Sequence, residues 1–323
     1  MEVLMEKIAI LFNLNRHQFD YETEFDSPVT IESIYNSLKD KYEIKFIEAV
    51  RDFSWIKEII DFNPNLVFNI CEGYYGPARE SVYAAILEQL NLNYSGPDST
   101  NLLICHNKIL TKRLLENKIL VPRGYCITSI EQLKNIELSF PLIVKLNSEG
   151  SSLGMSEKSI VNNFKELSEQ VNEMIQKFNR GILIEEFIDG QDISMIFVEG
   201  IGALGPCEID CGATFYDYDM KSIKDDTVDI KELKGDYQRL KNIVDYVANR
   251  LDIKGYAKLD FRINDGNYYL IEVNSQVSFH PHGEFITCAK ADGYSFDQII
   301  NHVVNYALRN KIKYSSIGIG GDK

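Results

Sequence analysis

Residues 256–274 read YAKLDFRINDGNYYLIEVN, and this stretch decides the fold prediction. Apolar and polar residues alternate at 257–263, which is the pattern of a strand with one buried face. A second alternating run at 268–273 follows a turn that we predict as a three-residue loop at 265–267. In the second run, the alternation predicts that Tyr269, Ile271 and Val273 face the core. It places Leu270 on the polar face. The pattern predicts an antiparallel hairpin with one apolar and one polar face.

The polar face of this hairpin carries side chains that suit a metal ion. The predicted pairing sets Asp260 opposite Glu272, with Asn274 beside them and Lys258 on the same face. Carboxylate and amide oxygens are the ligands that Mg²⁺ prefers, and Mg²⁺ commonly bridges to substrate phosphates. Without a cation the two facing carboxylates would repel each other. A solvated polar surface is the alternative interpretation.

The elements around the hairpin predict a mixed α/β (α+β) fold. In the first 95 residues strands alternate with helices, which is typical of a parallel sheet. There we expect strands at 7–13, 42–49 and 66–70 and helices at 29–40 and 55–61. Beyond the breaker cluster at 96–98 we expect helices at 107–117, 161–178, 237–251 and 296–309 and strands at 142–145, 182–187, 193–198 and 203–208. The predicted domains are residues 1–96, 97–187 and 188–311, followed by a tail at 312–323.

Two glycine-containing segments are candidates for phosphate binding. Residues 200–205 spell G-x-G-x-x-G, but Pro206 and a strand-like run follow where a nucleotide-binding loop needs a helix. We therefore predict a hairpin turn there. The segment Glu149–Gly154 follows Lys145 at the end of a predicted buried strand and offers backbone N–H groups and hydroxyls to an anion. A solvated flexible loop is the alternative for this second segment.

Composition excludes several classes of protein. The 323 residues carry a formal net charge of −14, which would repel a nucleic-acid backbone and an anionic membrane surface. No stretch reaches the ~18 consecutive apolar residues of a spanning helix, and the first residues lack a secretory-signal pattern. The cysteines form no C-x-x-C pair, and Cys207 and Cys211 lack the second pair that a zinc site needs. We expect a soluble cytoplasmic protein without a nucleic-acid or membrane partner.

Six motifs occur in an order and spacing that resembles the D-alanine–D-alanine ligase branch of the ATP-grasp superfamily. They are FNICEG at 68–73, NKILTK at 107–112, IVKLNSEGSSLG at 143–154, IEEF at 184–187, TFYDYDMK at 214–221 and IEVN at 271–274. The match covers roughly residues 7–310. The resemblance implies an N-terminal substrate domain at 1–96 and two antiparallel-sheet subdomains, at 97–187 and 188–311, that clasp ATP between them.

The resemblance also implies site residues and a reaction. Contacts to ATP are expected from Lys108, Lys145, Glu149, Gly150, Ser151, Ser152, Gly154, Glu185, Glu186, Phe187, Ile188, Asp192 and Lys221. Two Mg²⁺ ions, with Mn²⁺ as an alternative, are expected on Asp260, Glu272 and Asn274. Lys258, Ser151 and Lys221 are the expected catalytic residues, and Lys258 stands where the family has an arginine. The implied reaction joins a small-molecule carboxylate to an amine, both expected to be amino acids, through an acyl phosphate. The resemblance further suggests a homodimer.

Departures from the family pattern lie on the side of the second substrate. After Asn274 the family has a Pro-Gly turn, whereas this chain reads SQVSFHPHGE at 275–284, and Ser222 replaces a tyrosine. The substrate candidates are Asp26, Glu72, Ser278, His280, His282 and Glu284. For the two histidines, substrate contact, metal binding and plain solvation all stay open. We predict an ATP-dependent carboxylate–amine ligase with an altered second-substrate pocket. A catalytically degenerate nucleotide-binding module and a phosphotransferase on the same scaffold are the alternatives.

Overall fold

The computed structural model describes residues 5–210 and 229–311. Within these ranges the strands form three sheets, one parallel and two antiparallel, as the predicted α/β class requires. The motif at 214–221 and the tail at 312–323 lie outside the described residues. None of the helices in the described ranges is both long enough and apolar enough to cross a membrane.

The N-terminal sheet is parallel, as predicted. Its strands are β1 (Lys7–Phe12), β2 (Glu43–Glu48) and β3 (Leu66–Ile70), in the order β2-β1-β3. The helices that accompany it are Pro28–Leu38, Trp55–Phe62 and Arg79–Gln89. Ser27 caps the first of these helices by accepting a hydrogen bond from the backbone N–H of Thr30 at 3.3 Å, and Pro28 occupies the first helical position.

Two short helices, Ser99–His106 and Lys108–Leu115, lead from the N-terminal sheet into a four-stranded antiparallel sheet. That sheet contains β4 (Gly124–Ile127), β5 (Leu142–Leu146), β6 (Ile160–Val161) and β7 (Ile182–Glu186), in the order β4-β7-β5-β6. The helix Phe164–Phe178 packs on it. The prediction of helix from residue 161 was wrong, because residues 160–161 pair with β5 and Asn163 caps the helix from an extended conformation.

The third sheet is antiparallel and has the order β10-β9-β8-β11-β12. Its strands are β8 (Gln191–Val198), β9 (Gly202–Asp210), β10 (Asp229–Glu232), β11 (Tyr256–Asn264) and β12 (Asn267–Asn274). The helix Gln238–Arg250 covers one face, while Glu284–Ala291 and Phe296–Arg309 pack into the core on the other. The segment at 200–205 turns from β8 into β9, which confirms the predicted hairpin.

The hairpin of β11 and β12 differs from its prediction in two details. Its turn has two residues, Asp265 and Gly266, both with positive φ, and Asn264 pairs with Asn267. A β-bulge then shifts the register between Asp260 and Phe261. Because the turn has two residues, Leu270 pairs with Phe261 and is buried in the core, whereas Tyr269 pairs with Arg262. The assignment of Tyr269 and Ile271 to the core was therefore wrong, and that of Val273 was right.

An aromatic cluster joins the N-terminal sheet to the third sheet. The ring of Phe279 is fully buried and lies 5.4 Å from that of Phe68 and 5.1 Å from those of Tyr256 and Phe285, in edge-on arrangements. Such pairs add to the free energy gained from burying the rings. The segment after β12 is thereby fixed between the two sheets.

A buried carboxyl group lies at the same junction. The Ser278 hydroxyl donates to Asp26 Oδ1 at 3.2 Å, and the backbone N–H of Asp26 donates to the Asn13 carbonyl. Burial raises the pKa of Asp26 from about 3.8 to about 7, although hydrogen bonds from Ser278 and Thr30 act in the opposite direction. The fold therefore favours the protonated form of this side chain.

Replacing Phe279 by alanine should lower the free energy of unfolding by about 3–5 kcal/mol, because the deletion leaves a cavity among the three neighbouring rings. Phe164→Ala is the control, since that ring is 58% exposed and its loss should change stability by less than about 0.5 kcal/mol. Urea unfolding followed by circular dichroism measures both. Equal effects of the two substitutions would contradict the proposed junction.

The Asp26 carboxyl should make stability depend on pH. Its folded pKa exceeds its unfolded one, so its favourable protonated state is fully present below about pH 4 and is lost as the pH rises through about 7. Asp26→Asn removes this loss. We expect the unfolding free energy of the variant, relative to that of the unsubstituted protein, to increase by about 2–3 kcal/mol between pH 5 and pH 8. A difference that stays constant in urea unfolding across this range would contradict the assignment.

Candidate functional site

A cleft of about 960 Å³ lies between the second and third sheets, and we call it the first cavity. Most residues predicted to bind ATP line it: Lys108, Lys145, Glu149, Gly150, Ser152, Glu185, Glu186, Phe187, Ile188 and Asp192. Apolar side chains from both sheets, among them Ile143, Ile193 and Ile271, complete its walls. A cleft with apolar walls and a few converging charges suits a nucleotide with a planar base.

A buried group of three charged side chains adjoins the first cavity, and two of them, Lys145 and Glu185, line it. Glu185 lies between Lys145, whose Nζ is 2.5 Å from it, and Lys112, which donates to its other oxygen. Burial lowers the pKa of Lys112 to about 8, and the charge of Lys145 acts in the same direction against that of Glu185. The Glu185 carboxylate is thus used to hold the lysines. Lys112 was missing from the predicted site, although it lies inside the motif at 107–112.

The chain segment between β7 and β8 forms the rim of the first cavity. The guanidinium of Arg262 binds both oxygens of Asp192, at 2.7 and 2.8 Å, and also the Ile188 carbonyl. The same guanidinium lies over the Phe187 ring. The carboxylate predicted to accept ribose hydroxyls is therefore held by an ion pair. Each of its oxygens keeps a second lone pair for a hydroxyl donor.

The three predicted metal ligands lie together, with Asp260 opposite Glu272 as expected. Asn274 Nδ2 donates to Asp260 Oδ2 at 2.9 Å and to Glu272 Oε1 at 3.4 Å. Burial and the nearby charge of Glu272 raise the pKa of Asp260, and Lys258 opposes this effect. This donor set fits Mg²⁺, which accepts carboxylate and amide oxygens. Among the described residues, no three His, Cys, Asp or Glu side chains are arranged to hold a metal ion by themselves, so an ion here would complete its shell with phosphate and water.

Two lysines compensate the carboxylates at this position. Lys258 Nζ lies 2.9 and 2.8 Å from the two oxygens of Asp260, and Lys108 Nζ lies 3.3 Å from Glu272. Burial lowers the pKa of Lys258, but the charges of Asp260 and Glu284 outweigh this and raise it above its usual range. Lys258 is therefore a cation.

The loop Glu149–Gly154 borders the first cavity and is anchored at its first residue. Lys108 Nζ donates to the Glu149 carbonyl at 2.5 Å, while the Glu149 carboxylate lies 3.1 Å from Arg180 and 3.4 Å from Arg79. Ser151 and Ser152 both have positive φ, a sparsely populated conformation for residues other than glycine. These contacts favour an ordered loop over the solvated flexible loop that the sequence left open as an alternative.

A second cavity of about 1090 Å³ adjoins the first. The two share Lys108, Glu149, Gly150, Lys258 and Glu272 as a common wall. Beyond this common wall, five predicted residues line the second cavity: Ser151, Glu72, Asn274, Ser278 and Glu284. Asp26 lies behind Ser278 rather than on the wall.

The two histidines proposed as substrate residues lie elsewhere. Neither His280 nor His282 lines either cavity, and His282 is exposed. Their rings are 5.9 Å apart, and the backbone N–H of His282 donates to His280 Nδ1 at 3.3 Å. Their assignment to the substrate pocket was therefore wrong, because the chain turns at Pro281 away from the cavity. Glu284, two residues further on, returns to the wall.

A buried charge network at the second cavity was not predicted. The Arg79 guanidinium contacts Glu24 directly and lies within 4.0 Å of Glu80. His106 Nδ1 lies 2.5 Å from Glu80. Apart from the adjacent Arg79 and Glu80, the contacting residues are far apart in the sequence, so no local pattern signals the network. Of the two remaining predicted ATP contacts, Gly154 lines neither cavity. Lys221 falls outside the described residues, as does Ser222.

Comparisons with known proteins agree with the resemblance. A family model described as the D-ala D-ala ligase C-terminus matches residues 125–305. The D-alanine–D-alanine ligase of Pelagibacter ubique (strain HTCC1062) is 28% identical over 285 residues, which cover 85% of this chain and 90% of that protein. The D-alanine–D-alanine ligase of Pseudothermotoga lettingae is 27% identical over 250 residues, which cover 76% and 81%.

Two solved structures show the same fold. The D-alanine–D-alanine ligase from Bacillus anthracis complexed with ATP superposes with a TM-score of 0.76 at 22% identity, over 95% of this chain and 98% of that one. The VanG D-Ala:D-Ser ligase from Enterococcus faecalis gives 0.74 at 18% identity, over 94% and 99%. The family model spans more than half of the chain. The chain therefore belongs to the D-alanine–D-alanine ligase family of ATP-grasp proteins and is an ATP-dependent ligase.

Proposed function

We propose that this ligase activates a small-molecule carboxylate with ATP and joins it to an amine other than D-alanine. One observation carries the proposal: a cavity with the expected nucleotide residues shares a wall with a second cavity, and the shared wall holds Lys108, Lys258 and Glu272. A phosphoryl group at this wall would face a substrate in the second cavity. Membership of the ligase family supports the type of reaction, and the pocket residues that differ from the family pattern support a different amine substrate.

The charges of the first cavity support binding of ATP in one orientation. Lys145 and Lys112 share one carboxylate, so this end of the cavity has a surplus positive charge that a polyphosphate would offset. The other end has apolar walls and Asp192, which suit a base and ribose hydroxyls. The anchored loop Glu149–Gly154 would cover the phosphates, and its serines offer hydroxyl and N–H donors. Lys221 is proposed as a further phosphate contact.

Asp260, Glu272 and Asn274 would hold Mg²⁺ beside the phosphates, since their oxygens converge on one face of the hairpin. When bound, the ion offsets negative charge on the phosphoryl oxygens. Two ions, with Mn²⁺ as an alternative, are proposed on the family pattern. Lys258 and Lys108 lie within 3.3 Å of these carboxylates and add fixed positive charge at the same point.

The reaction proceeds in two displacements. A substrate carboxylate oxygen bonds to the γ-phosphorus as the bond to ADP breaks, which gives an acyl phosphate. The amine nitrogen then bonds to the acyl carbon, phosphate leaves, and the nitrogen loses a proton to give the amide. Lys258 is placed to stabilise negative charge on the reacting carboxyl group, and Ser151 to donate from the loop.

The second-substrate wall supports an altered acceptor. Residues 275–278, Ser-Gln-Val-Ser, line the second cavity where the family places a Pro-Gly turn. Glu72 and Glu284 line it as well. A wall with two further carboxylates would repel the free carboxylate of a simple amino acid acceptor.

Asp260→Asn should lower the rate of ADP release by about 10²–10³-fold or more, because it removes a charged ligand at the point where the phosphoryl charge develops. Asp61→Asn is the control, since Asp61 is exposed and forms an ion pair with Lys57 on the surface. A coupled assay of ADP formation measures both variants. An unchanged rate in Asp260→Asn would refute the metal assignment.

A panel of amino acids and amines, tested singly and in pairs, should give ATP-dependent release of ADP and phosphate together with an amide detected by mass spectrometry. D-alanine alone should support turnover at least about tenfold less efficiently than the preferred pair, since the acceptor wall differs. Fast turnover with D-alanine alone would refute the altered acceptor. A stable phosphoester would indicate a phosphotransferase, and ATP binding without any product a non-catalytic module.

A further inference from the structure

Carboxylates dominate the wall of the second cavity. Six glutamates line it: Glu24, Glu72, Glu80, Glu149, Glu272 and Glu284. Glu272 belongs to the metal-binding face and lies 3.3 Å from Lys108. Glu24, Glu72, Glu80 and Glu149 meet around Arg79, and we call these four residues the acidic cluster.

The acidic cluster has more negative than positive charge. Among the described residues, the cations within 4 Å of its carboxylates are Arg79, Arg180 and His106, whereas Lys108 donates to the Glu149 carbonyl and pairs with Glu272. Even with His106 counted as charged, four carboxylates face three cations. Arg79 contacts Glu24 directly, Arg180 lies 3.1 Å from Glu149, and His106 lies 2.5 Å from Glu80. Glu72 is the member without a close cation of its own.

Glu72 is fixed in place by its backbone, not by its carboxylate. Its N–H donates to Asn13 Oδ1 at 3.0 Å, and its carbonyl accepts from Arg79 Nη1 at 2.6 Å. The nearest cationic nitrogen to its carboxylate in the described structure is that of Arg79 at 3.8 Å, beyond hydrogen-bond distance. The residue is only 8% exposed, and it lines the cavity.

A buried carboxylate without a hydrogen bond is unfavourable. Burial raises the pKa of Glu72 well above its usual range, and the charges of Glu80 and Glu24 raise it further. A cation in the cavity would offset all three effects. The charge distribution of the protein itself therefore points to a positively charged ligand.

Two side-chain nitrogen atoms on this wall have no hydrogen-bond partner among the described residues. The Gln276 amide nitrogen and His106 Nε2 are buried and make no hydrogen bond to any described residue, and both residues are more than nine-tenths buried. Both line the second cavity. An amide N–H₂ donates to carboxylate or carbonyl oxygens. The cavity thus offers a donor for a substrate oxygen in addition to its excess of carboxylates.

We propose that a substrate of the second cavity carries an ammonium group in addition to the α-amino group, and that the Glu72 carboxylate binds this ammonium. The inference rests on the proposed ligase function and names its substrate class, a diamino acid. The attacking amine must be neutral to react, so it is not the cation that Glu72 holds. A zwitterionic amino acid adds equal positive and negative charge, whereas a diamino acid also offsets the excess of the acidic cluster.

The test compares diamino acids with neutral amino acids of the same chain length. Lysine, ornithine and 2,4-diaminobutyrate are paired with norleucine, norvaline and 2-aminobutyrate, each in both enantiomers. Every compound is tested as carboxylate donor and as amine acceptor, with the co-substrate that the panel of amino acids and amines identifies. Product mass distinguishes the two roles. For one role, kcat/KM for ADP release should be at least about tenfold higher for the diamino acid than for its neutral partner, as expected of a charge-assisted hydrogen bond.

Glu72→Gln should bring this ratio to within about threefold of one, chiefly by lowering kcat/KM for the diamino acid. Glu72→Asp, which keeps the charge, should retain part of the preference. Glu116→Gln, at an exposed position on the surface, should leave the ratio unchanged. Melting temperatures of all three variants show whether they fold.

Equal use of diamino and neutral amino acids, or a preference that persists in Glu72→Gln, would overturn the inference while leaving the ligase function intact. Absence of ADP release with every substrate would instead refute the proposed function. In that case each amino acid is titrated calorimetrically into the full chain in the presence of Mg²⁺ and ADP. Lysine or ornithine should still bind at least about tenfold more tightly than norleucine or norvaline. Equal affinities there would also overturn the inference.

Discussion

The buried carboxylate of Glu185 holds two lysines side by side, and the rest of the site depends on this arrangement. Lys145 lies in β5, Lys112 in the helix 108–115, and Glu185 in β7 between them. Burial and the charge of Lys145 lower the pKa of Lys112, and the Glu185 carboxylate opposes this shift. Because one carboxylate compensates two lysines, a positive charge remains for a ligand.

The local charge balance at the second cavity is the opposite of that in the group of Lys112, Glu185 and Lys145. There the acidic cluster exceeds its cationic neighbours, and the two cavities meet at a wall that contains both Lys258 and Glu272. A polyphosphate on one side and a cationic substrate on the other would each remove a local excess. The net charge of −14 describes the whole chain. It is no obstacle to a nucleotide, because the two lysines that share Glu185 provide positive charge locally.

Local patterns were sufficient to predict the strands and helices with clear apolar periodicity, such as β3 and the helix Phe296–Arg309. The helices Arg79–Gln89, Ser99–His106 and Glu284–Ala291 were not predicted. The first of these begins with a buried arginine and a buried glutamate, which break the apolar pattern. Arg79 contacts Glu24 and Glu149, which lie 55 and 70 residues away in the sequence. A single sequence does not show such contacts.

The pairing of Asp260 with Glu272 was predicted correctly for a reason that was partly wrong. The prediction assumed a three-residue turn and a regular ladder, whereas the turn has two residues and a bulge at Ile271 restores the register. A two-residue turn without the bulge would set Asp260 opposite Ile271 and separate the carboxylates. With the bulge, the consecutive residues Ile271 and Glu272 both line the first cavity. The bulge thus places an apolar wall residue and a metal ligand next to each other, which an unbroken alternation would put on opposite faces.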